Sequence, residues 1–155
     1  KLFIKNNTPE SIIKLGETGL KKYIKSIGLY NTKAKNIIKT CKILNKKYKN
    51  IVPNSFNDLI KLPGVGRKTA NVVLGNVFHI PSLVVDTHVT RITNLLKFVN
   101  SNNAVIIEKD LCRIVPNEDW SIFAHLLIDH GRKICIANRP KCDDCIIKNY
   151  CPSSN

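Results

Sequence analysis

The chain has 155 residues, 43% of them hydrophobic, enough for one compact domain or two small lobes around buried cores. Its formal charge of +14 fits a polyanionic partner, nucleic acid before membrane, because neither a long uncharged apolar run nor a signal peptide is found. Lys, Asn and Ile are abundant throughout, so part of that charge reads equally well as a solvated face.

No methionine is present and the first residue is Lys1, so an opening segment is expected to be missing. From Thr8 to Ile27 the pattern predicts two short helices. Pro9 and Glu10 open the first, Leu20, Tyr23 and Ile27 line the second, and Gly28 ends it. A loop of Leu29, Tyr30 and Asn31 precedes an amphipathic helix with Ala34, Ile37, Ile38, Cys41 and Leu44 on one face and lysines on the other. Taken alone, Leu29 reads as a loop leucine folded back onto its own domain. Ser55 then stands as N-cap to a helix carrying Phe56, Leu59 and Ile60, which Pro63 and Gly64 stop.

Leu62-Pro63-Gly64-Val65-Gly66-Arg67-Lys68-Thr69-Ala70 joins that helix to a second one through Ala70, Val72, Val73, Leu74 and Val77. Gly64 and Gly66 lack Cβ atoms, so the turn can take positive φ and its backbone can lie against another surface. Amide groups at such a turn, at the positive end of a helix dipole, form an anion site. A tight helix-helix connection with no ligand is the competing reading, and the turn alone leaves that choice open. Lys68 falls in the first turn of the second helix, where the dipole opposes an ammonium and favours the free amine that Schiff-base chemistry uses. Asp86 directly follows the apolar run Leu83 to Val85, the one short stretch with strand character. It can N-cap a helix carrying Arg91, Leu95 and Leu96, a role compatible with chemistry.

Helices are expected over Asp86 to Leu96, about Asn103 to Ile114, and Trp120 to Arg132, with Pro116 and Asn117 between the last two. Ile106, Leu111, Ile114, Trp120, Phe123, Leu126 and Leu127 are the expected core positions. His125 and His130 are candidate ligands, but the stronger reading for them, as for His88, is a structural histidine. The tail carries Cys135, Cys142, Cys145 and Cys151, four thiols in a short segment that ask for a soft metal centre. One close pair flanked by wider gaps differs from the two knuckles usual for zinc, yet spacing alone leaves zinc and iron-sulfur undecided. Disulfides are disfavoured, since nothing marks the chain as secreted and Cys41 and Cys112 stand alone on apolar helix faces.

LPGVGRKTANVV (62–73) followed by VDTHVTR (85–91), with IGLYNTKAKNIIKTC (27–41) before and HGR (130–132) plus the cysteine run after, closely resembles the helix-hairpin-helix DNA glycosylases of the endonuclease III type. The likeness extends over practically the whole chain. It implies an all-α, two-lobed fold, with residues 1–80 forming most of a helical lobe that contains the hairpin and 81–155 forming an iron-sulfur lobe. It implies that Lys68 attacks the sugar C1′ of a damaged pyrimidine nucleotide, that Asp86 assists, and that β-elimination then nicks the strand. Gly64, Val65 and Gly66 would bind phosphate through backbone N–H groups, flanked by Arg67 and Thr69. Leu29 would wedge into the duplex and help turn the nucleotide out of the stack. The four cysteines would hold a 4Fe-4S cluster, and the loop from Cys135 to Cys142 would present Arg139 and Lys141 to the DNA backbone, although Asp143 and Asp144 lower the local charge.

The same likeness implies that the missing opening segment is helical, packs on the C-terminal lobe and supplies a glutamine to the damage site, so that its loss exposes apolar surface. The expected setting is a monomer on double-stranded DNA in a bacterial cytoplasm, at the nucleoid, with no membrane. Two other functions are set beside this one. An adenine-specific mismatch glycosylase shares the hairpin, aspartate and cluster but typically lacks a lysine at position 68. Lys68 and Asp86 together argue against a hairpin module that binds DNA without catalysis for the parent protein, though not for a truncated product.

Overall fold

The structure, a computed structural model, describes residues 1–154; all regular elements among them are helical and no strand is formed. The described chain divides into two compact units, Lys1–Ala70 and the part from Asn71 onward. The sequence expectation put this boundary near residue 80.

The first unit contains α1 (Leu2–Lys5), α2 (Pro9–Ile24), α3 (Tyr30–Tyr48), α4 (Phe56–Leu59) and the start of α5 (Arg67–Val77). At the head of α2, Thr8 and Ser11 form a reciprocal capping box and Pro9 takes the first helical position, where its missing N–H costs nothing. Gly16, at φ 72°, interrupts α2 and makes it the two short helices that the pattern predicts. Ile12 and Leu20 of α2 pack with Ala34, Ile38 and Cys41 of α3 as the core of this unit.

Several boundaries depart from expectation. α2 stops at Ile24, well short of Gly28, so Tyr23 and Ile27 lie at its frayed end and are exposed, as is Ile37 on α3. Ser55 occupies the N-cap of α4, but its hydroxyl makes no capping bond, and the helix is a single turn that buries Leu59 and leaves Ile60 exposed.

The second unit contains the rest of α5 and α6 (Thr87–Leu95), α7 (Ala104–Ile114) and α8 (Trp120–Lys133), with short 3-10 turns at Asn117–Asp119, Cys142–Asp144 and Lys148–Tyr150. Leu83, Val84 and Val85 are buried but form no strand. Their backbone is held by a side chain instead: Asn71 Nδ2 donates to the Leu83 carbonyl at 3.0 Å, and Ser82 Oγ donates to the Asn71 carbonyl at 2.8 Å. Leu83, Val85, Val89, Ile92, Val99, Ile107, Leu111 and Leu127 form the core, with Trp120 and Phe123 against its edge.

Three expected core positions lie outside it. Ile106, Ile114 and Leu126 are all exposed, and Val77 at the end of α5 is exposed as well. On α7 the inward phase is the one that packs Ile107 and Leu111 into this core. Asn103 caps the amides of Val105 and Ile106, and residues 107 and 111, one turn apart, face inward, leaving Ile107 fully buried and Ile106 49% exposed.

Candidate functional site

In the first unit the hairpin is built from consecutive turns. Leu62 N donates to the Leu59 carbonyl and Val65 N to the Leu62 carbonyl, both at 3.0 Å, and the Gly66 carbonyl then accepts the first α5 bond from Ala70 N at 2.9 Å. Gly64 sits at φ +79°, and a Cβ there would fall 2.8 Å from Asn36 Nδ2 on α3 and 3.1 Å from its Cβ. Thr40 Oγ1 of α3 donates to the Pro63 carbonyl at 3.1 Å, so the turn is fastened to α3 on that side. Gly66 differs: a Cβ added there would meet no atom within 4 Å. Its small size is required by nothing in the surrounding protein and leaves room for a close-lying ligand. Lys68 is the second residue of α5, exposed as are Gly64, Gly66, Arg67 and Thr69, while Val65 is half-buried. The Arg67 guanidinium lies over the Phe56 ring, 4.7 Å from its centroid.

Leu29 caps α3 in the left-handed conformation, φ 58° and ψ 31°, with its side chain 78% exposed. A leucine pays strain energy in that region, and here the apolar side chain gains no burial for it. The leucine therefore does not fold back onto its own domain.

In the second unit Asp86 is the N-cap of α6. Its Oδ1 accepts from His88 N at 2.8 Å and Val89 N at 3.0 Å. This ties the carboxylate to the helix end and fixes where it points.

Cys135, Cys142, Cys145 and Cys151 line one cavity of about 160 Å³, and all six cysteines are free thiols. Short turns hold them there: Cys135 N donates to the His130 carbonyl at 2.9 Å, Cys145 N to the Cys142 carbonyl at 3.1 Å, and Cys151 N to the Lys148 carbonyl at 3.1 Å. Arg91 of α6 reaches the same cavity. Its Nη2 donates to the Cys135 carbonyl at 2.6 Å and the Gly131 carbonyl at 3.3 Å, while its buried Nε has no protein acceptor. Burial pushes the Cys135 thiol up, and the adjacent Arg91 guanidinium acts against that rise by favouring the thiolate. Cys41 and Cys112, away from this cavity, are pushed up by burial and behave as small apolar residues.

Among the described residues no three His, Cys, Asp or Glu side chains converge on a point that a single ion could occupy. Four thiols lining one cavity, with Arg91 and its orphaned guanidinium N–H among the lining residues, are a donor set that suits a thiophilic metal centre. Arg139 and Lys141 on the loop are exposed, and Asp143 is engaged with Lys148 at 2.7 Å.

The model of the HhH-GPD superfamily of base excision DNA repair proteins matches residues 1–117. Endonuclease III of Rickettsia prowazekii is 56% identical over 151 residues, covering 97% of this chain and 71% of the relative. Endonuclease III of Escherichia coli K12 is 48% identical, over 97% of this chain and 72% of the relative. The chain belongs to the endonuclease III family of the HhH-GPD superfamily. Among solved structures, a non-covalent endonuclease III–DNA complex superposes with a TM-score of 0.94 at 44% identity, covering 99% of this chain and 72% of the other. A thermostable thymine-DNA glycosylase superposes with a TM-score of 0.86 at 27% identity.

For this member of the family, the residues singled out from sequence fall into two groups. Lys68, the hairpin and Leu29 lie in the first unit; Asp86, Arg139, Lys141 and the four cysteines lie in the second. Sequence reasoning gave no role to Arg91 or Asn71, and it read His130 as structural, whereas the structure sets His130 beside Cys145. Asn71 is a buried polar residue within an apolar helix, which is a usable signal that its amide serves the backbone. Arg91 offers no such signal, because its acceptors lie 40 and 44 residues away.

Proposed function

We propose that this chain acts in base excision repair as a DNA glycosylase and abasic-site lyase on double-stranded DNA bearing oxidised pyrimidines. The observation that carries the proposal is Lys68, an exposed lysine in the first turn of a helix opened by a glycine hairpin, in a chain whose relatives are endonucleases III and whose structural neighbours include endonuclease III bound to DNA. The lysine also argues against the adenine-specific reading.

In the proposed reaction Lys68 Nζ attacks the sugar C1′, the bond from C1′ to the base nitrogen breaks, and the base leaves carrying the electron pair and a proton. Asp86 takes a proton from the lysine and stabilises the positive charge that develops on the sugar. Opening of the sugar ring gives an imine. Loss of a C2′ proton then expels the 3′ phosphate, leaving a nick 3′ to the sugar.

Gly64, Val65 and Gly66 hold a phosphate through backbone N–H groups, directly or through a bridging cation, with Arg67 and Thr69 beside them. The open space at Gly66 supports this. Leu29, exposed and left-handed, inserts into the duplex and replaces part of the stacking lost when the nucleotide turns out. Cys135, Cys142, Cys145 and Cys151 would hold a 4Fe-4S cluster, which would cross-link the loop. The same loop presents Arg139 and Lys141 to phosphates. No helix among the described residues is long and apolar enough to cross a membrane, and the working place proposed is the bacterial cytoplasm at the nucleoid, as a monomer.

Borohydride trapping on a duplex with one abasic site tests the chemistry. The parent chain should form a covalent adduct that Lys68→Ala does not. DNA binding without an adduct in the parent would leave a hairpin binding module and overturn the catalytic reading.

A further inference from the structure

We propose that His130 is a positioning residue for the sulfur cluster: its Nε2–H donates a hydrogen bond to the Cys145 sulfur, fixing that ligand and raising the potential at which the cluster is oxidised. This rests on the reading of the four cysteines as cluster ligands. His130 Nε2 stands 3.7 Å from Cys145 Sγ, within reach of an N–H···S bond, and both half-buried side chains form part of the same cavity wall. A ligating cysteine is a thiolate and can only accept, so the hydrogen belongs on Nε2. The neutral Nε2–H tautomer and the imidazolium both meet that demand, so the bond does not depend on the charge of the ring.

His130 is itself well fixed. It lies in the last turn of α8, and its carbonyl accepts from Ile134 N and Cys135 N at 2.9 Å each. One residue thus ties down the backbone of the first cysteine and the sulfur of the third. Two other histidines are differently engaged: His125 Nε2 pairs with Asn76 Oδ1 at 3.0 Å, and His88 Nδ1 faces Arg91 at 3.5 Å. A hydrogen bond donated to a ligating sulfur withdraws electron density from it and favours the more reduced cluster, and such outer partners also govern how tightly a metal centre is kept.

The test uses the whole chain with its cluster, purified without air, beside His130→Phe and His130→Gln. Matching iron and sulfide content with a visible charge-transfer band in the parent establishes the cluster; their absence overturns the cluster reading and this proposal with it. With the cluster present, three quantities are read: the Fe–S(Cys) stretching bands in resonance Raman, the midpoint potential, and the rate of bleaching by ferricyanide. His130→Phe should shift an Fe–S(Cys) band upward, lower the midpoint potential and bleach on the order of tenfold faster. His130→Gln, whose amide can still donate, should fall between it and the parent. If His130→Phe takes up no cluster, pulsed EPR of the oxidised parent labelled with heavy-nitrogen histidine decides: coupling of a histidine nitrogen to the cluster spin supports the bond, and no coupling overturns it. Parent-like bands, potential and bleaching in His130→Phe overturn the proposal and leave the cluster reading standing.

Discussion

The two hairpin glycines are expected to fail in different ways when each is replaced by alanine. At Gly64 the backbone is left-handed at φ +79°, and the new methyl would lie 2.8 Å from Asn36 Nδ2 and 3.1 Å from Asn36 Cβ. The left-handed conformation costs an L-residue about 1–2 kcal/mol. The Asn36 amide can rotate away, but its Cβ is fixed to α3, so the crowding adds about 1–2 kcal/mol of overpacking. For a chain of this length a loss of about 2–4 kcal/mol lowers Tm by roughly 5–15 °C. At Gly66 no neighbour lies within 4 Å and φ is not left-handed, so the folded chain should lose at most about 1 kcal/mol, chiefly from the poorer N-cap. Its effect should appear on DNA. A methyl placed where the backbone must lie against a phosphate removes a charge-assisted bond of about 1.5–3 kcal/mol, or roughly tenfold to hundredfold in Kd. Thermal melts by circular dichroism and fluorescence anisotropy on an abasic duplex at fixed salt read the two effects separately. Parent-like binding by Gly66→Ala would refute the phosphate assignment, and an unchanged Tm for Gly64→Ala would refute the packing argument.

Asp86→Ala should lose about 1 kcal/mol of stability with the α6 cap, whereas Asp86→Ser keeps an acceptor for His88 N and Val89 N and should melt close to the parent. Both should slow base release at least about hundredfold in single-turnover assays, as expected when a proton-transfer group is removed; a fast Asp86→Ser enzyme would reduce Asp86 to a cap alone. Ile107→Ala should cost about 2–5 kcal/mol by urea denaturation and the neighbouring Ile106→Ala well under half of that, because the first is fully buried and the second half exposed. Equal losses would mean that the inward phase of α7 is misassigned.

Some features set by residues close in the chain were readable beforehand. Asp86 starts α6 through bonds to His88 and Val89, two and three residues on, and was legible as that cap, as the hairpin glycines were by composition; Thr8 with Ser11 and Asn103 with Val105 and Ile106 work over the same short span but were not singled out. The inward phase of α7 was harder. Ile106 and Ile107 are adjacent and chemically identical, and which one is buried depends on how the helix packs. Leu29 carries no local mark of its left-handed backbone, since leucine has no preference for that region.

The wall of the cysteine cavity was least legible, because it is a meeting of distant residues on α6, α8 and the tail. Gly131 shows how such a meeting is encoded. A Cβ on it would stand 2.8 Å from His88 Nδ1 and 3.0 Å from both His88 Cβ and Ile92 Cδ1, so its lack of a side chain is what permits α6 to lie against α8. From that close approach, Arg91 reaches over the end of α8 to the Gly131 and Cys135 carbonyls. Carbonyls at a helix C-terminus lack intrahelical donors and carry the negative end of the helix dipole, so a guanidinium is well suited to hold them. A glycine with no chemistry of its own thus brings the cation to the point where the cysteine loop begins.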